Sequence, residues 1–232
     1  MAIRSVLHVA PHPDDELLGA PASLFALRDA GWRVVNLACS LGRPEQRERR
    51  LAELQEACAR AGYELLVELE PAAALAAVAP ALVVAPSPFD DHPAHRRAAR
   101  ATLAAVAAAG APDRVWLWAL YADLRSPTLL RPVAQPRIDE IEHALAAHAG
   151  ELERNDYRRA LRGRLELNAV VGPERLFGFG SQGLDATRAE LLTELALVEG
   201  RFVLCAPRVA ESDELGTPAE PRTLFGSAGP GS

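Results

Sequence analysis

The first 120 residues alternate short apolar runs with helical stretches, and that alternation admits few folds. Apolar runs at residues 6–9, 34–38, 65–69, 82–85 and 115–120 read as short buried strands. Between them, residues 17–30, 44–61 and 96–109 read as helices, and an alanine-rich helical stretch lies between the third and fourth runs. In the second of these, Leu51, Leu54 and Cys58 recur at helical spacing and Gly62 supplies a stop. Strands separated by crossover helices predict an α/β domain with a mostly parallel sheet flanked by helices. After Pro127 the pattern changes. Residues 138–149 and 153–165 read as two helices, and residues 190–197 and 202–205 flank Glu199-Gly200 as a hairpin. The expectation is one domain over residues 1–210 with a C-terminal helical and hairpin extension. A loose tail rich in Gly, Pro, Ser and Thr is expected over residues 211–232.

Composition removes several classes of function. The formal net charge is −6, and every basic residue is an arginine. A nucleic-acid partner would need a clustered positive surface, which this balance argues against. Three cysteines, Cys39, Cys58 and Cys205, lack C-x-x-C spacing and suit reduced thiols. No signal-type apolar segment opens the chain, and no uninterrupted apolar run is long enough for a membrane helix, so a cytoplasmic location is expected.

The chemistry concentrates in two segments, each just after a predicted strand. The first runs Ala10-Pro11-His12-Pro13-Asp14-Asp15-Glu16. In open α/β sheets ligands bind at the carboxyl ends of strands. A nucleotide site would place glycines there; one imidazole and three carboxylates attract a cation instead. The competing reading is that Asp14 caps the following helix while Asp15 and Glu16 favour its positive end. Capping explains the acids but leaves His12 and the flanking prolines unexplained.

The second segment is Asp90-Asp91-His92-Pro93-Ala94-His95, after the strand at 82–85. A lone H-x-x-H reads equally as a polar loop. Two such segments at equivalent strand ends, one giving His12 and Asp15 and the other His95, suit a three-ligand site with an open position. That is the arrangement of catalytic zinc.

These residues resemble the PIG-L-like (LmbE-like) N-acetylglucosamine deacetylases. The H-P-D-D-E element at 12–16 carries the resemblance, and the D-x-H-P-x-H element at 90–95 supports it. Weaker matches are Arg50-x-x-Glu53 and Ala144-Leu145-x-x-His148. The resemblance implies a Rossmann-like fold and zinc, or another divalent metal such as Fe2+, held by His12, Asp15 and His95. It implies Asp14 as general base, His92 as oxyanion stabiliser or acid, and Arg50 as support for the acidic loop. The implied activity removes an N-acetyl group from an acetamido sugar or glycoconjugate, the substrate being a small glycoside. An amidase for a larger N-acyl group or a thiol conjugate, and a metal-free binding protein of the same fold, stand as alternatives. A homo-oligomer is left open.

One position departs from the family pattern. The second element usually reads H-P-D-H, and Ala94 replaces its aspartate. Asp91, or its neighbour Asp90, is the expected substitute. The family's Ser-Gln after the later helical histidine is also missing, with Gly150-Glu151 nearby. Elsewhere His8 is expected to pack within its strand, one of Trp116 and Trp118 to border the site, and Cys39 to be inert.

Overall fold

Strands that are apolar on both faces must be covered on both faces, and the three innermost strands obey this rule. The structure, a computed structural model, describes residues 3–211 and 214–222. Strand β1 (Ser5–Ala10) is buried throughout and pairs in parallel with β2 (Arg33–Ala38) on one side and β4 (Leu82–Pro86) on the other. β3 (Glu64–Val67) continues the sheet beyond β2, and β5 (Arg114–Trp118) beyond β4, both parallel. The strand order 3-2-1-4-5 reverses between β1 and β4, and the carboxyl ends of those two strands therefore flank a crevice. Past β5 the sheet turns antiparallel through β7 (Ala189–Val198), which also pairs with β6 (Leu129–Pro132) and β8 (Arg201–Leu204); β9 (Arg208–Val209) adds to β6. The expected hairpin is present, with Val198 opposite Arg201.

Two apolar layers cover the sheet. One joins α1 (Asp15–Leu18), α2 (Pro21–Asp29), α3 (Arg47–Ala61), α6 (Gln135–Leu145) and α8 (Tyr157–Phe177) through residues such as Leu17, Phe25, Leu54, Ile141 and Leu161. The other packs α4 (Pro71–Val78) and α5 (Pro93–Ala109) through Leu75, Val78 and Val106. His8 packs as expected: it is fully buried, hydrogen-bonds Asn36 at 2.8 Å and stacks on Trp118.

Several expected elements have different bounds. The single helix read over 17–30 is two, because Gly19 and Ala20 break it and Pro21 starts α2 without a backbone N–H. The next two N–H groups, of Ala22 and Ser23, donate to the Glu190 carboxylate of β7 at 2.9 and 2.8 Å. This distant carboxylate does the work of a cap. Gly19 is needed for space, since a Cβ there would lie 2.7 Å from the Trp118 ring. Gly19→Ala is expected to cost about 1–3 kcal/mol of stability through overpacking, read as a lower midpoint of thermal or denaturant unfolding.

The helices read at 138–149 and 153–165 are three: α6, a short α7 (Ala149–Arg154), and α8, which runs on through Pro173 to Phe177. The loose tail expected after Glu211 is docked in its described part. Leu215 is fully buried, its carbonyl accepts from Arg114 at 3.2 Å, and Pro221 bridges to Cys205. Residues 212–213 and 223–232 of that expected tail lie outside the described residues.

Candidate metal centre

β1 ends at Ala10, and the next four residues fold into a tight turn before α1. The turn is held by its own acids. The Asp15 carboxylate accepts the His12 backbone N–H at 2.8 Å and lies 3.2 Å from His12 Nδ1. The Asp14 backbone N–H donates to Glu16 at 3.0 Å. Asp14 itself has φ 102°, a left-handed conformation that an L residue adopts at a cost, and its carboxyl group makes no cap bond to α1. The capping reading therefore fails for this residue.

The second segment arrives from β4. His92 caps α5 through its ring, Nδ1 accepting the Ala94 N–H at 3.3 Å, which leaves the proton of a neutral ring on Nε2. His95, in the first turn, is fully buried and reaches into the crevice. Its Nε2 lies 3.4 Å from Asp15 Oδ1 and its Nδ1 lies 3.5 Å from Asp90 Oδ2, yet neither nitrogen makes a well-formed hydrogen bond. One nitrogen each of His12, His92 and His95 lies within 4.8 Å of the others.

These spacings suit a divalent ion. Bonds of about 2.0–2.1 Å in a tetrahedral set put donors roughly 3.3–3.4 Å apart. Asp15 stands near that separation from both rings, with Oδ2 3.2 Å from His12 Nδ1 and Oδ1 3.4 Å from His95 Nε2, each ring facing a different carboxylate oxygen. His95 is also buried with a carboxylate 3.4 or 3.5 Å from each nitrogen and no well-formed hydrogen bond to either among the described residues, a donor set that suits a cation. The residues fit the group.

The electrostatics follow from burial and from neighbours. Burial pushes the Asp14 carboxyl well above its usual range, and Asp15 and Glu16 beside it push the same way. Burial works on Asp15 too, but the His12 and His95 rings beside it outweigh it and hold Asp15 well below the ordinary value. Burial would lower His95, yet Asp15 and Asp90 outweigh it and raise the ring to about 9. His92 is lowered, first by burial and then by the two neighbouring rings. Cys39 is pushed up to about 12 by burial and Asp15, so it is a poor nucleophile, in line with its expected inertness.

The structure brings together His12, Asp15, His92 and His95, with Asp14 next to Asp15 in the turn. Asp91 is not among them: its side chain is exposed, and among the described residues only its carbonyl is used, by Arg96 at 2.6 Å. Asp90 takes the place expected of Asp91. It is fully buried, accepts the backbone N–H groups of His92 and Leu120 at 2.8 Å and of Tyr121 at 3.2 Å, and faces His95. Burial opposes its charge, but His95 and these N–H donors hold it down at about 2. Among the described residues Arg50 bonds not the acidic turn it was expected to support but the loop after β2 and α7, donating to Leu41 O at 3.3 Å and to Glu151 at 2.8 Å. His148 is fully buried and contacts Glu16 at 2.5 Å, a pairing across 132 residues that no local pattern announces. Both Trp116 and Trp118 are buried, and Trp118 is the one that borders the site, edge-on to His95 with ring centroids 5.2 Å apart.

Fold and site together define the class: an α/β protein with imidazoles and carboxylates gathered at the carboxyl edge of a 3-2-1-4-5 sheet. Within it, residues 7–70, the stretch from β1 through β3, match the family model described as PIG-L: GlcNAc-PI de-N-acetylase. That segment contains His12, Asp14, Asp15 and Arg50, while His92 and His95 lie beyond it. No curated protein matches the chain. Among solved structures, the chain is similar to a conserved protein from Thermus thermophilus at 24% identity and TM-score 0.64, covering 81% of this chain and 92% of that one. It is similar to the A40926 pseudoaglycone deacetylase at 22% identity and TM-score 0.60, covering 81% and 95%. The 4-carboxy-2-hydroxymuconate hydratase of Pseudomonas putida aligns at 16% identity and TM-score 0.64, covering 83% and 96%. At such identities the likeness establishes a common fold.

Proposed function

We propose that this protein is a metal-dependent N-deacetylase acting on an acetamido sugar or glycoconjugate. The observation that carries the reading is the convergence of His12, Asp15 and His95 from two separate strand ends, with the two Asp15 oxygens 3.2 Å from His12 and 3.4 Å from His95. Asp14 stands beside them with its carboxyl group withheld from capping. The PIG-L match over residues 7–70 supports the choice of an amide as the bond that is cut.

His12, Asp15 and His95 would hold the ion, and a set of two imidazoles and one carboxylate suits zinc, with ferrous iron as the alternative. When bound, such an ion lowers the pKa of water and polarises a carbonyl oxygen. Asp14 accepts the proton of the attacking water as its oxygen bonds to the carbonyl carbon. It returns that proton to the departing nitrogen as the C–N bond breaks, giving acetate and a free amine. His92, with its Nε2 proton, donates to the oxygen that gains charge, and the Tyr121 ring, 5.5 Å from it, walls that side. Trp118 and the buried Asp90 hold His95 in place.

The hydratase neighbour suggests a second reading, water addition to a carbon–carbon double bond on the same fold. Amine release separates the two. Metal-loaded protein is expected to release acetate and amine in equal amounts from N-acetylglucosaminides. Chelation is expected to abolish the activity, and zinc or iron to restore it. A protein that purifies without metal, takes up none and cleaves no N-acetyl or larger N-acyl sugar would overturn the proposal.

A further inference from the structure

α8 packs Leu161 and Leu165 into the core, and Arg164 stands at the border of that apolar stripe. Among the described residues Arg164 forms no ion pair. Its two Nη groups donate instead to two carbonyls, Ala119 O at 2.6 Å and Leu18 O. Leu18 ends the single turn of α1, so its carbonyl has no partner within that helix. Ala119 follows β5, and its carbonyl belongs to the same peptide group as the Leu120 N–H. That N–H donates to Asp90 Oδ2 at 2.8 Å, and the same Oδ2 lies 3.5 Å from His95 Nδ1.

A peptide group is planar and trans, so its oxygen and its N–H point in opposite directions. A guanidinium at one end and a carboxylate at the other hold it by two charge-assisted bonds, and both polarise it in the same sense. The order in space is guanidinium, peptide, carboxylate, imidazole. We propose that Arg164 is a positioning residue for the metal centre: it fixes the Leu120 peptide, which aims Asp90, which orients His95. The bond to Leu18 steadies the guanidinium. A planar fork holds both carbonyls at once, and the compact ammonium of a lysine lacks those paired heads.

This inference rests on His12, Asp15 and His95 being metal ligands, and the test keeps the two readings apart. Zinc dissociation constants are measured by competition with a chelating dye for the wild type, Arg164→Met, Arg164→Lys, Asp90→Asn and Arg164→Met/Asp90→Asn. Arg175→Met is the control, because Arg175 also lies on α8 and donates to a loop carbonyl, that of Leu124, away from Asp90. Arg164→Met is expected to weaken zinc binding about tenfold, the lower end of what the loss of an outer partner costs. Arg164→Lys should fall between it and the wild type, and Arg175→Met should bind zinc as the wild type does. Once Asp90 is asparagine, Arg164→Met should change the constant by less than about twofold, because the two substitutions break one chain of contacts. Undiminished affinity in Arg164→Met, an equal loss in the Asp90→Asn background, or the same loss in Arg175→Met would each overturn the inference. If Arg164→Met does not fold, Arg164→Lys carries the same comparisons, alone and with Asp90→Asn. Amide exchange at Leu120, followed by NMR on metal-free protein, gives a readout that needs no ion. It is expected to quicken roughly tenfold in the Arg164 variants and to stay unchanged in Arg175→Met. A wild type that takes up no metal would sink the deacetylase reading, and exchange at Leu120 would then decide the role of Arg164: quickened, the tie to Asp90 stands; unchanged, it falls.

Discussion

Asp14→Asn is expected to keep its metal and its fold while kcat drops by about 10²–10⁴, the range general-base catalysis supplies. The substitution is a clean one for physical reasons. Asparagine tolerates the left-handed backbone that Asp14 adopts at φ 102°, so the turn between β1 and α1 survives. The carboxyl group does not cap α1, so no helix contact is lost. Burial, together with Asp15 and Glu16, already disfavours a charge at this position, so a neutral amide of the same shape leaves the unfolding midpoint unchanged or raised. What disappears is the proton acceptor. The discriminating result is therefore a split: metal content near that of the wild type, undiminished thermal stability, and turnover lost. A variant that retains full turnover would remove Asp14 from the mechanism without touching the metal assignment.

The part of this architecture that was legible in the sequence is the part in which neighbours along the chain determine the outcome. β1, β2 and β4 are buried on both faces, and their apolar runs say so without help from the rest of the molecule. The motif at 12–16 stood out because an imidazole and three acids interrupt that pattern where a parallel strand must end. Choices made by distant residues were hidden. Asp90 and Asp91 are adjacent carboxylates, and only the loop that carries the Leu120 and Tyr121 N–H groups decides that Asp90 turns inward. Glu16 and His148 meet across 132 residues. α8 runs past residue 165, where the sequence pattern ends it, and on through Gly172 and Pro173, with Gly172 giving Leu130 the space a Cβ would take. β6 is four residues ending in proline, too short for a periodicity to register. Leu215 sits in a segment whose composition suggests a loose end, and a single buried leucine with Arg114 holding its carbonyl is enough to dock it.

The hidden carboxylate leads to the second large expected effect. His95→Ala is expected to abolish both metal binding and turnover, because it deletes one of the three proposed donors. Asp90→Asn should fall between that variant and the wild type, with metal affinity reduced by about 10–100-fold, the usual effect of removing the partner that orients a ligating imidazole. It carries a stability penalty as well. Asp90 Oδ1 accepts the His92 N–H while Oδ2 accepts those of Leu120 and Tyr121, so all of its polar neighbours on the backbone are donors. An asparagine has one oxygen to offer and must turn its NH₂ toward one side, leaving a buried N–H unpaired at a cost of roughly 1–3 kcal/mol. Asp91→Asn is the control, since its exposed carboxylate meets neither His95 nor these amides. Measured together, metal dissociation constants and unfolding midpoints separate the two adjacent acids. If Asp91→Asn proved the damaging substitution and Asp90→Asn the silent one, the loop would have to turn the other way. His95 would then be oriented by something other than the carboxylate 3.5 Å from its Nδ1.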